Sequence, residues 1–301
     1  MKNEIARSPL FYVGDKYKLM SEIKAHFPKQ IHNFYEPFVG GGSVFLNIEA
    51  DKYFLNDINP YVIALHKMLC SFIGKESHFF QEMANIIHSY NLSFSLTKDI
   101  IPKELKQAYP KLYFAKFNKE GYKKLRSDFN SSDKSNMEML YILLIYGFNR
   151  MLRFNNKGDF NIPVGNVDFN KNTEQALLNY FERLRLKNIY WSHIDFREFL
   201  SQQHYEENDL VYLDPPYLIT FSEYNKLWNE SIEQELLEIL NELNIRQIRF
   251  AISNVTHYKG KTNSLFLNWA ENYNIHPIKS NYISYHDNSI KQFNEVLVTN
   301  F

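Results

Sequence analysis

The chain has 301 residues, 45% of them hydrophobic and 23% charged, which suits a soluble folded protein of one large domain, or a core domain carrying an insert. Lysine and arginine (34) equal aspartate and glutamate (34), so overall charge gives no general attraction to polyanions. No apolar run reaches the roughly 20 residues of a membrane span, the Met1-Lys2-Asn3-Glu4 start lacks a signal-peptide core, and Cys70 as the one cysteine excludes an internal disulfide or a cysteine zinc cage.

In chain order, Asn33-Phe34-Tyr35-Glu36-Pro37-Phe38 reads as a short buried strand running into Gly40-Gly41-Gly42. Ser43 is then expected to open a helix presenting Val44, Phe45 and Ile48. Lys52 to Asn56 reads as a second strand ending at Asp57, and Asn59-Pro60 starts a helix with Val62, Ile63, Leu65, Leu69 and Phe72 at helical spacing. From about residue 75 to 170 the alternation stops. Between Lys103 and Arg126 eight basic residues face two glutamates, with Tyr109, Tyr113, Phe114, Phe117 and Tyr122 among them, either a solvated helix face or a surface for a polyanion. Met137 to Ile145 is apolar enough for a buried helix, and Gly147 to Gly165 reads as loops and a hairpin. The rhythm returns after about residue 175, with strands at Asn188–Trp191, Asp209–Leu213, Ile248–Ile252 and Glu295–Thr299 and a helix over Ser231–Leu243. Strands alternating with helices imply an α/β fold with a largely parallel, doubly wound sheet. The expected division is a discontinuous core of residues 1–66 and 175–301 around an insert of residues 67–174.

Asp214-Pro215-Pro216-Tyr217 follows directly on the strand ending at Leu213, where open α/β sheets bind ligands. Two prolines fix two φ angles and remove two N–H donors, which leaves the nearby carbonyls as pure acceptors. An aromatic amine such as adenine N6 is a poor nucleophile with two N–H donors. The Asp214 carboxylate and the Pro215 carbonyl are candidates to bind both and pull the nitrogen toward tetrahedral geometry, with Tyr217 stacking on the base for about 1–3 kcal/mol. Alone, the tetrapeptide is also compatible with a Pro-Pro turn closing a strand beside a core phenol.

Four segments together resemble the Dam family of DNA adenine methyltransferases, enzymes that use S-adenosylmethionine (AdoMet). Phe11-Tyr12-Val13-Gly14-Asp15-Lys16 is similar to the family's N-terminal cofactor segment, with Tyr12 at the usual Trp, Lys16 on its Lys and Asp15 replacing a glycine. Glu36-Pro37-Phe38-Val39-Gly40-Gly41-Gly42-Ser43 resembles its glycine-turn motif, which implies that Glu36, Phe38, Gly40 and Gly42 face the cofactor. Asp57, in Asn56-Asp57-Ile58-Asn59-Pro60, stands where a carboxylate accepts ribose hydroxyls, and it is also a candidate cap for the Pro60 helix. Gly147-Phe148-Asn149-Arg150-Met151-Leu152-Arg153, continued by Phe160-Asn161-Ile162-Pro163-Val164-Gly165, is similar to the DNA-contacting signature, with Arg150 at a usual glycine.

The resemblance implies a Rossmann-like class I AdoMet methyltransferase sheet with an inserted, mainly helical DNA-recognition domain containing a hairpin. It assigns Phe148, Asn149, Arg150, Met151, Arg153, Asn161 and Pro163 to DNA, with Arg153 reading a base edge and Phe148 and Met151 probing the stack. It assigns Asp195 and Phe196 to the cofactor's adenine, a helix cap being the other reading of Asp195, and makes Phe250 to Asn254 the strand that wraps the substrate pocket. The implied reaction is displacement by adenine N6 at the sulfonium methyl, with S-adenosylhomocysteine leaving, no metal, and the base flipped from a short motif such as GATC. Double-stranded DNA is the expected partner of a cytoplasmic, bacterial or phage-encoded monomer, either solitary or paired with a separate restriction endonuclease. Other amine acceptors (cytosine N4, RNA, a protein glutamine) and a catalytically silent DNA-binding protein are the competing readings. The ten histidines show no metal spacing.

Overall fold

Runs such as Leu210–Leu213 have no polar face, which a strand covered on both sides requires. The computed structural model describes residues 5–97, 100–220, 227–279 and 293–301, so the start at residues 1–4 lies outside it. Its strands are β1 (Asn33–Glu36), β2 (Lys52–Asn56), β3 (Ile189–Ser192), β4 (Leu210–Leu213), β5 (Arg249–Tyr258), β6 (Lys261–Thr262), β7 (Asn274–Ile278) and β8 (Phe293–Thr299). Its α-helices are α1 (Met20–Ala25), α2 (Pro60–Ser71), α3 (Glu76–Ser89), α4 (Lys103–Ala108), α5 (Tyr113–Ser131), α6 (Met137–Tyr146), α7 (Lys171–Leu184), α8 (Phe196–Ser201), α9 (Glu230–Ile245) and α10 (Ser264–Ala270). Two compact units form. One comprises Met1–Asp15, Gly40–Leu46 and Asn59–Leu186; the other Lys16–Val39, Asn47–Ile58 and Lys187–Phe301.

The second unit holds the sheet, mixed α/β and mostly parallel through its centre, in the order β3-β2-β1-β4-β5-β8-β7, with β6 on β5. Pairs from β3 through β5 are parallel, and β8 enters antiparallel between β5 and β7. In-register residues Tyr35, Phe54 and Tyr190 stack across three strands with centroids 4.9 and 5.0 Å apart, an aromatic ladder of the kind that pins register. On one face Val211, Leu213, Phe250, Ile252 and Val298 pack with Leu236, Leu237 and Leu240 of α9 and Phe266 of α10. β7 was not expected from sequence: Asn274-Ile275-His276-Pro277-Ile278 is half polar and carries a proline, tolerable because β7 is the sheet's outermost strand.

The first unit is helical, and its middle is α6, where Leu140 to Tyr146 are fully buried, with α2, α3 and α5 packed on it. A helix apolar all round must lie inside its bundle. The expected insert, residues 67–174, lies within this unit's Asn59–Leu186 segment.

Two local expectations change. The helix expected from Ser43 is only a 3-10 turn over Phe45–Asn47. The Ile48 carbonyl, which a continuing helix would use, instead accepts from the Tyr53 hydroxyl (3.0 Å) and Lys187 Nζ (2.6 Å), and this draws the chain into β2. The cap of α2 is Asn59, whose side chain accepts from the Tyr61 N–H at 3.0 Å, so Asp57 does not serve as that cap.

Candidate active site and nucleic-acid interface

In the sheet unit, parallel β1, β2, β3 and β4 all end at one edge, and their sequences place Glu36, Asp57, Asp195 and Asp214 there. Asn56 ties the ends of β1 and β3. Its Nδ2 donates to the Pro37 carbonyl (3.1 Å) and the Ile194 carbonyl (2.9 Å), while its Oδ1 accepts from the Ile194 N–H (3.0 Å) and Ser192 Oγ (2.9 Å). Fully buried, this side chain satisfies every group it presents, as a low-dielectric interior demands.

Asp214 stands at the centre of a charged cluster. Lys16 Nζ meets its Oδ2 at 2.7 Å, and the Tyr217 hydroxyl donates to its Oδ1 at 2.9 Å. Glu295, from β8, completes the group with its Oε1 3.1 Å from the Tyr217 hydroxyl and 3.5 Å from Lys16 Nζ. Burial pulls the Lys16 ammonium down, but Asp214, with Tyr217 and Glu295, holds it well above lysine's ordinary value. Burial, reinforced by Asp214 and Glu295, pushes the Tyr217 phenol well up. Burial also raises the Glu295 carboxyl, against the pull of Lys16. Glu295 carried no sequence signal beyond heading an apolar strand.

Next along the edge, Phe38 packs on Phe196 (5.3 Å) and edge-on to Trp228 (5.8 Å). Trp228 is held from behind: its Nε1 donates to Glu233 Oε2 at 3.2 Å, and Glu233 Oε1 accepts from Asn254 and Asn263. The sequence reading passed over Asn56, Trp228 and Glu233. Asp195 caps α8, its Oδ1 accepting from the Arg197 N–H (2.9 Å) and its Oδ2 pairing with the Arg197 guanidinium (3.0 Å). Pro215 is buried and Pro216 half-buried.

In the helical unit, the glycine turn packs on Tyr12: a Cβ on Gly41 would lie 2.6 Å from Tyr12 Cβ. Gly42 has φ +77°, and a Cβ there would collide with the Phe45 ring at 2.2 Å. Gly41 and Gly42 thus have a packing reason for lacking a side chain, beside the ligand approach expected of the turn. Buried His66 fixes the turn by donating from Nε2 to the Gly40 carbonyl (2.9 Å) and accepting at Nδ1 from the Tyr180 hydroxyl (2.8 Å), the only tautomer a carbonyl allows. Burial lowers the imidazole to about 4.

The 147–165 segment of the same unit closes as an irregular hairpin, with antiparallel bridges Gly147↔Val164 and Phe154↔Phe160. A Cβ on Gly165 would lie 2.6 Å from the Gly147 carbonyl, so the closure requires glycine. Asn149 (φ 52°) and Arg150 (φ 50°) both adopt the left-handed region that non-glycine residues avoid. That turn leaves Phe148 half exposed and Asn149 exposed. Arg150 turns inward, its guanidinium 3.7 Å from the Phe11 ring centroid and lowered to about 10 by burial. Arg153 Nε donates to Asn161 Oδ1 at 2.8 Å, linking two of the expected DNA-contacting residues; Met151 is half-buried and Pro163 exposed.

The family model for D12 class N6 adenine-specific DNA methyltransferases matches residues 12–283. The chain belongs to this family. Among curated relatives, it is 36% identical over 311 residues to Type II methyltransferase M.FokI of Planomicrobium okeanokoites, covering 99% of the chain and 43% of that protein. It is 33% identical to modification methylase StsI of Streptococcus sanguinis, covering 98% of the chain and 43% of the relative. With the DNA adenine methylase of Salmonella typhi it shares 30% identity, over 82% of the chain and 80% of the relative. The chain thus spans under half the length of the modification methylases it matches. Membership of a methyltransferase family implies AdoMet as methyl donor. Among the described residues no cluster of three or more His, Cys, Asp or Glu is placed to hold a metal, and no helix is long and apolar enough to cross a membrane.

Proposed function

We propose that the chain methylates N6 of an adenine flipped from a short motif in double-stranded DNA. The observation that carries this reading is Asp214, set at the end of β4 before two prolines, with one carboxylate oxygen fixed by Tyr217 and the other by Lys16. Each of these oxygens retains a lone pair, so Asp214 can still accept an N6–H. The rigid Pro215–Pro216 backbone offers a second acceptor without a competing donor. Both interactions raise the nucleophilicity of the nitrogen, and most of the rate acceleration is then positional and electrostatic.

The donor set at the carboxyl edge fits AdoMet: carboxylates at neighbouring strand ends for hydroxyl and amine donors, and an aromatic group, Phe38, Phe196 and Trp228, for a purine face. Glu36, Phe38, Asp57 and Phe196 would hold it, and when bound it supplies an electrophilic methyl group on a sulfonium. Lys16, assigned to the cofactor by resemblance, is better read as the partner of Asp214. Asp195 contributes only if it shares the carboxylate that caps α8. Tyr12, Gly40 and Gly42 are assigned to the cofactor by the family pattern alone. Phe148, Asn149, Met151, Arg153, Asn161 and Pro163 form the proposed DNA-reading hairpin, residues 67–174 the recognition insert, and Arg150 its internal brace. The relatives' names, two modification methylases and a DNA adenine methylase, suit either a modification enzyme with a separate endonuclease or a solitary methylase, acting on DNA in the cytoplasm.

Single-molecule sequencing of DNA from a methylation-free host expressing the chain tests this reading. Methyl-adenine confined to one motif is expected, with GATC scored among the candidates. Unmodified adenine with soluble protein present would overturn it.

A further inference from the structure

Glu295 is a charged residue in the otherwise largely apolar β8, yet its side chain is 1% exposed and lies against Lys16, Asp214 and Tyr217. Tyr212, a further titratable group beside the cluster and itself within the field of Glu36, has its hydroxyl 2.9 Å from Ser253 Oγ. Across the sheet Glu295 pairs with Val255 of β5 and Ile278 of β7, neither of which carries charge. Three features of this geometry bear on where its protons lie. A phenol has one hydrogen, but the Tyr217 hydroxyl lies 2.9 Å from Asp214 Oδ1 and 3.1 Å from Glu295 Oε1, so it can donate to only one of them. Lys16 is unequally shared, 2.7 Å from Asp214 and 3.5 Å from Glu295. Glu295 Oε2 is buried with no hydrogen-bond partner among the described residues, a position that would strand an ionised oxygen.

One assignment satisfies all three. We infer that Glu295 is held as a neutral acid that donates to the Tyr217 oxygen, so that Tyr217 donates to Asp214 and Lys16 lies closest to the one ionised carboxylate of the pair, Asp214. Glu295 is then a positioning residue: it never touches substrate but fixes the carboxylate that does. Burial, which raises the Glu295 carboxyl, acts in the same direction. Were Glu295 ionised, the single phenol hydrogen would face two carboxylates, and Tyr217 would no longer be committed to Asp214. The catalytic consequence rests on the adenine-methylation reading; the proton's location does not.

The test uses the intact chain. Infrared difference spectra of wild type against Glu295→Gln at neutral pH should show a protonated-carboxyl band that the substitution removes and that Asp214→Asn retains. Loss of that band in Asp214→Asn but not in Glu295→Gln would put the proton on Asp214, and absence of the band would leave Glu295 ionised; either overturns the inference. For catalysis, Glu295→Gln keeps a donor toward Tyr217 whereas Glu295→Ala does not. We expect kcat for Glu295→Gln to exceed that of Glu295→Ala at least tenfold, with DNA and AdoMet affinities of the two alike. Equal kcat in the two variants would overturn the positioning role. Should Glu295→Ala fail to fold, the spectra still decide, and they do so whatever the methyl acceptor proves to be.

Discussion

At the carboxyl edge of the sheet the charged side chains face one another: Lys16, Asp214, Tyr217 and Glu295 exchange hydrogen bonds in a buried cluster. In the 147–165 hairpin the arrangement is reversed, with Phe148 and Asn149 turned to solvent by two residues in left-handed backbone conformation. The first region fixes its chemistry through hydrogen bonds among its own side chains, Glu295 Oε2 being left without a partner among the described residues. The second holds its outward groups through backbone strain and glycine contacts, and spends few side-chain interactions on them. A cluster whose members hold one another resists relaxation when a ligand binds. A hairpin with exposed groups keeps them available for a partner.

The largest expected effect falls on the edge. Asp214→Ala should cut methyl transfer by about 10²–10³-fold or more while DNA binding persists, measured by transfer of labelled methyl to a defined duplex. Full activity would remove Asp214 from the chemistry and dissolve the contrast. Next comes the internal brace of the helical unit. His66 is lowered in the folded state to about 4 from an ordinary 6.5, so below the ordinary value the unfolded chain binds the extra proton. Stability is full above about pH 6.5 and declines as pH falls toward 4, by on the order of 3 kcal/mol. Denaturant titrations across that window should show the decline in wild type and flatten in His66→Asn.

On the hairpin side, Arg153→Ala should cost about 1–3 kcal/mol of discrimination between target and mismatched duplexes, read by competition binding. Uniform weakening on every sequence would make Arg153 a phosphate contact. The smallest stability effect belongs to Phe148→Ala: exposed as the ring is, the melting free energy should move by less than about 0.5 kcal/mol. DNA affinity or base opening should nonetheless fall by up to about tenfold. Loss of stability without loss of DNA affinity would make Phe148 a packing residue and blur the distinction between the regions.

Legibility in the sequence followed contiguity. β2 and β4 came out within a residue of their expected bounds because apolar runs of three (Tyr53–Leu55) and four (Leu210–Leu213) residues sit beside polar or turn residues, and Asp214–Tyr217 was found because its four residues are adjacent. Glu295 and Asn56 were not singled out, since their partners lie far along the chain: Lys16, Asp214 and Tyr217 for one, Pro37, Ile194 and Ser192 for the other. The helix expected at Ser43 was lost to a competing acceptor at Ile48, satisfied from Tyr53 and Lys187. The resemblance to the Dam family reached the right class, and the structure adds that Lys16, which the resemblance assigns to the cofactor, pairs with Asp214.

The Asn56 side chain hydrogen-bonds to main-chain atoms at positions 37 and 194. Such a fastening is indifferent to which residues occupy those loops, so amino-acid replacement there should leave strand spacing unchanged while altering what the loops present. Variation in ligand preference can therefore accumulate around an invariant frame, and Asn56 marks where libraries of loop variants can be anchored without loss of the fold.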